Sequence, residues 1–149
     1  GLHSDSKCIL TLFWRKSKFM LMFLLENQTT SEVTKVFEYL QQTLLEDDYK
    51  KLFQVILTDN GHEFYDVINI EKNHEFIRYV LPKKTTFKNL TQNDCNIIAN
   101  HINSLCRESL NNNCPFNAML FLCNEKVLNT LNMYYIEPDE VQLNKNLLK

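Results

Sequence analysis

A chain of 149 residues, 44% hydrophobic and 23% charged, has the size of one globular domain and can bury a real core. Its net charge of −2 excludes a global field drawing the molecule toward nucleic acid, so a polyanion site must be a local patch. The apolar run at 19–25 is too short to cross a bilayer, there is no secretory signal pattern, and the five cysteines form no C-x-x-C pair. No membrane partner, disulfide framework or zinc knuckle is therefore expected, and the reading is a reducing, cytoplasmic setting.

The first two elements are the apolar runs CILTLFW (8–14) and KFMLMFLLE (18–26), joined by charged RKS, a hairpin pattern. Continuous apolarity predicts strands covered on both faces. Thr29-x-x-Glu32 is a capping box, and Val33, Val36, Phe37, Leu40 and Leu44 recur at helical spacing, giving a helix to about residue 46. FQVILTD (53–59) then reads as a third strand ending at Asp59, in β-β-α-β order.

From residue 71 onward the pattern is helical. Glu71–Leu81 is a helix stopped by Pro82. Thr91-x-x-Asp94 caps a second, with Cys95, Ile98, Ile102 and Leu105 on one face. Pro115 opens a third, to about Leu131, carrying Met119, Leu122 and Val127. The polar stretch from Asn132 is expected to be extended. One domain over 1–149 follows, with a strand/helix part at about 7–70 and a mainly helical part at 71–149.

Two carboxylates stand close together. Asp59 in D-N-G is either a hairpin turn, since Asn and Gly tolerate positive φ, or a metal ligand at a strand's C-terminal end. Glu71 is either a helix N-terminal acid favoured by the macrodipole or the second ligand of a hard divalent cation. Around them, Lys72, Arg78, Lys83, Lys84 and Lys88, with Arg15, Lys16 and Lys18, are either solvated faces or one basic surface for phosphate contacts.

The segments ILTLFWRKSKFMLMFLL, LTDNGHEF, IEKNHEFIRYVLPKKTTF and LTQNDCNIIANHINSLCRESLNNNCPFNAMLF, in this order, resemble the catalytic core of bacterial DDE transposases of the insertion sequence thirty family. These belong to the integrase-like, RNase H-like superfamily. The resemblance implies an α+β fold (α/β RNase H-like): a partial three-layer core with a helical C-terminal half. It implies that Asp59 and Glu71 are catalytic and hold Mg²⁺ or Mn²⁺ for in-line phosphoryl transfer. It implies DNA contacts from Asn60, Asn73, Arg78, Lys83 and Arg107, to which the basic surface adds Lys72 and Lys84, and DNA as partner (insertion-sequence ends and target), with a homo-oligomer as a further partner and the bacterial cytoplasm as location.

The sequence also departs from that family. The family's first catalytic Asp precedes the glycine that Gly1 resembles, and Asp5 does not replace it. FYDVIN fills a gap that spans several tens of residues in the family, as if a segment were deleted. The expectation is a transposase core with little or no strand-transfer activity; the alternatives are a non-catalytic DNA-binding or regulatory fragment and an inert structural domain.

Overall fold

A computed structural model of the chain describes residues 6–54 and 67–149, and for 67–71 the backbone alone. The described part is α+β. Strands β1 (Cys8–Phe13) and β2 (Met20–Leu25) are followed by helices α1 (Thr30–Thr43), α2 (Glu46–Leu52), α3 (Val67–Val80), α4 (Gln92–Asn103), α5 (Pro115–Met119) and α6 (Glu125–Thr130). Short 3₁₀ turns lie at Glu108–Leu110 and Pro138–Glu140.

β1 and β2 form the expected antiparallel hairpin, with Phe13 opposite Met20 and Cys8 opposite Leu25. Its loop is closed by Trp14 N–H to Phe19 O and Lys18 N–H to Trp14 O, both 2.8 Å, and Lys18 takes a left-handed φ of 62° to turn the chain. The expected two-sided burial holds for the first half of β2, where Met20, Leu21 and Met22 are all buried. β1 is only half-buried throughout.

Since Trp14 N–H donates to Phe19 O across the hairpin, alternation turns the N–H and C=O groups of Met20, Met22 and Leu24 away from β1. That outer edge meets side chains of α4. Asn103 accepts from Met20 N–H at 2.9 Å and donates to Met20 O at 2.8 Å. Gln92, at the other end of the helix, accepts from Leu24 N–H and donates to Met22 O, both at 2.8 Å. Two side-chain amides thus supply pairing that a neighbouring strand's backbone would otherwise give, which removes the cost of burying unpaired edge groups.

The central position of α4 follows from its sequence. Thr91 and Asp94 form a complete capping box, and Cys95, Ile98, Ala99 and Ile102 are fully buried on one face. α1 starts at Thr29 as expected, but only half of that box forms: Thr29 Oγ1 accepts from Glu32 N–H, while the Glu32 carboxylate reaches Glu26 N–H instead. α1 stops at Thr43, where Leu44 turns extended, and the chain restarts as α2. The acid-first, base-last order of Glu46, Asp47, Asp48 and Lys50, Lys51 favours that short helix through its dipole.

Four expectations are corrected. The helix expected to open at Glu71 begins at Val67, so Glu71 is its fifth residue and not a first-turn acid. Phe53, placed by the sequence in a third strand, closes α2, its N–H donating to Tyr49 O; residues 55–59 of that strand lie outside the described residues. The helix expected from Pro115 to Leu131 is two short helices, because Asn124 caps a new one by accepting from Val127 N–H. The stretch from Asn132 has little regular structure but is tied down: Tyr134, Ile136 and Gln142 N–H donate to Asn100 Oδ1, Ser104 Oγ and His101 Nδ1 of α4 and its cap. No helix among the described residues is long and apolar enough to cross a membrane.

Candidate nucleic-acid interface

The hairpin turn that carries Arg15 and Lys16 is held from three sides. Trp14 Nε1 donates to Leu52 O at the end of α2 at 2.9 Å, and its ring packs on Phe19 and Phe53. Buried Ser17 donates to Met119 Sδ in α5 at 3.3 Å and accepts from Phe19 N–H. From α3, Asn73 Nδ2 donates to Lys18 O at 3.4 Å. Arg15 and Lys16 are exposed on this clamped loop, and Lys72, next to Asn73, is exposed on the helix beside it. Cations on a loop held in this way lose less backbone freedom when they meet an anionic surface than cations on a free loop.

Asn73 and Arg107 do something other than the sequence reading expected. Both are interior, 1% and 5% exposed. Arg107 Nη2 donates to Asn73 Oδ1 at 2.8 Å and to Ile102 O at 3.2 Å, and the guanidinium lies over the Phe76 ring, 5.1 Å from its centroid. Nε and Nη1 have no hydrogen-bond partner among the described residues. Burial pulls the Arg107 pKa down to about 10, the direction desolvation dictates for a cation. In this structure the pair positions the turn against α3; it does not present a charge to a ligand.

The remaining expected cations divide between separate places. Lys7 Nζ donates to Lys88 O and Leu90 O, so Lys88 lies at the far end of the hairpin from Arg15. Six strand residues separate those ends, about 20 Å. Lys83 and Lys84 follow the C-terminus of α3, whose last residue, Val80, lies about 10 Å along the helix axis from Asn73 at 1.5 Å per residue. Arg78 shares a shallow groove with Tyr79, Lys145, Asn146 and Lys149. Lys145 and Lys149 escape the sequence reading, which takes their segment as a polar tail; two lysines four residues apart are the available signal.

Of the expected metal ligands, Asp59 lies outside the described residues, as does Asn60, and the side chain of Glu71 is likewise not described. No three His, Cys, Asp or Glu side chains converge on one point among the described residues. Comparison with protein-family models, with curated proteins and with solved structures found no match.

Proposed function

We propose that this chain is a DNA-backbone-binding domain of DDE transposase lineage, with a partial RNase H-like core. The observation that carries the binding reading is the clamped turn: Arg15 and Lys16 stand exposed on a loop fixed to α2, α3 and α5, beside Lys72. Such a patch suits phosphate contact, which needs cations in fixed places and no base readout. The lineage rests on the collinear sequence segments. On that lineage, Asp59 and Glu71 are the residues that would hold Mg²⁺ or Mn²⁺, and the ion would supply Lewis-acid stabilisation at a phosphate.

Fluorescence anisotropy with a labelled duplex, titrated between about 50 and 200 mM salt, tests the binding. Affinity should fall with salt. The Arg15→Ala, Lys16→Ala, Lys72→Ala triple variant should reduce the slope of log K against log salt by roughly 0.9 for each phosphate it leaves without a cation. No binding at the lowest salt, or a salt slope unchanged in the triple variant, would remove the proposal.

A further inference from the structure

Arg107 and Asn113 form an isolated antiparallel bridge, with Arg107 N–H donating to Asn113 O at 2.9 Å. The turn between them closes through Asn111 and Asn112, both in the left-handed region. One step out from that bridge, the register sets Cys106 opposite Cys114. Directly opposite residues of an antiparallel pair have Cα atoms about 4.5–5.5 Å apart and side chains on the same face, inside the span of about 4.4–6.8 Å that a disulfide bridges. Arg107 and Cys114, on either side of that step, both have extended backbone angles. The two thiols also differ in access: Cys106 is exposed, whereas Cys114 is buried at the start of α5.

We propose that Cys106 and Cys114 form a peroxide-responsive dithiol, with Cys106 as the thiol oxidised first and Cys114 as the resolving thiol. Cys106 thiolate attacks one oxygen of hydrogen peroxide; the O–O bond breaks, hydroxide leaves and takes a proton, and Cys106 becomes a sulfenic acid. Cys114 sulfur then attacks the Cys106 sulfur, and the sulfenic hydroxyl leaves with the Cys114 proton as a second water. Two thiols and one peroxide give one disulfide and two waters.

Burial raises the thiols of all three other cysteines, Cys8, Cys95 and Cys123. Burial pushes Cys95 up to about 12 and Cys123 up to about 11, so both stay protonated and unreactive near neutral pH. Burial also raises the Cys114 thiol, with Cys106 nearby acting in the same direction, consistent with a resolving rather than an attacking role. The closed ring would fix the turn from Arg107 to Asn113 and hence the base on which Arg107 reaches Asn73.

The test treats the purified full chain with a small excess of hydrogen peroxide, quenches in acid, alkylates under denaturing conditions and maps the peptides. The expected result is a loss of two hydrogen masses, alkylatable thiols falling from five to three, and a fragment spectrum joining Cys106 to Cys114, all reversed by a reducing thiol. Cys123→Ser should leave this unchanged, and Cys106→Ser should abolish it. Sulfenic or sulfinic acid at Cys106 with Cys114 still alkylated would overturn the proposal, as would a dimer linked through Cys106 or a bond involving Cys8, Cys95 or Cys123. The mapping of the unsubstituted chain decides the matter even if a variant does not fold.

Discussion

Truncating Asn103 to alanine is the sharpest test of how the hairpin is held. Asn103 is fully buried, and its amide is bonded to both the N–H and the C=O of Met20. Alanine leaves both backbone groups inside the protein with neither partner nor water. Each unsatisfied buried polar group costs about 1–3 kcal/mol, so the loss should be roughly 2–6 kcal/mol, with the vacated side-chain volume adding to it. A domain of this size has a total stability on the order of 5–15 kcal/mol, so the variant should lose a large share of it. Urea unfolding followed by far-UV circular dichroism gives the difference from the midpoint and slope. Gln92→Ala is the internal control: it makes the same kind of bonds but is only half-buried, so water can replace it and the cost should be about 1 kcal/mol. If Asn103→Ala costs under about 1 kcal/mol, or no more than Gln92→Ala, the edge is not held by that amide and the reasoning fails.

Other outcomes follow from the same structure. Asn73→Ala should cost about 1.5–3 kcal/mol, because it strips a charge-assisted bond from buried Arg107; it should also raise hydrogen exchange in the turn at 15–18, and a variant with unchanged exchange there would break the link between α3 and the turn. Thr91→Ala should cost about 1 kcal/mol in thermal melts and more than Thr29→Ala, since only Thr91 sits in a complete capping box. Lys84→Gly should stabilise by about 0.5 kcal/mol, as an exposed residue at φ 69° gains from losing its Cβ more than the unfolded chain gains in freedom; a destabilised variant would contradict this.

His101 gives a pH prediction. Burial holds its folded pKa below the ordinary 6.5, and Nδ1 accepts from Gln142 N–H, which only the neutral ring can do. The unfolded chain therefore binds the proton first as pH falls, so this contribution is complete above the unfolded value and is lost as pH drops through it toward the folded one. Exchange of the Gln142 amide, measured by NMR and corrected for intrinsic rates, should accelerate as the pH is lowered from about 7.5 to 5; an unchanged protection factor would refute the assignment.

The parts of the fold legible in the sequence are those with local causes. The hairpin follows from two apolar runs around RKS, and the starts of α1 and α4 from Thr29 and Thr91, whose hydroxyls meet amides three residues on. α2 escapes such a reading because EDDYKKL carries little apolar periodicity and is shaped by charge order. The Asn124 cap that splits the 115–131 region is readable, but an apolar spacing that continues across it hides the break. The candidate site is harder. Arg107 and Asn73 are 34 residues apart and meet inside the protein, and a sequence gives a lone arginine no mark of burial. Gln92 and Asn103 look like the polar side of a helix, yet they bond a strand 68 to 83 residues away.

That last separation has a consequence for how the chain is made. A hairpin closes in about 1–10 μs once both strands exist, but the side chains that finish β2 belong to α4, up to 83 residues later. At a synthesis rate of about 5–20 residues per second, Met20 waits on the order of 4–17 s for Asn103. During that interval a strand reading MLMFLL has its outer edge open, the form most prone to pair with another chain. Docking also requires closing a long loop, which slows folding relative to a chain built of local contacts. The growing polypeptide thus passes its most adhesive moment after the hairpin forms and before α4 arrives.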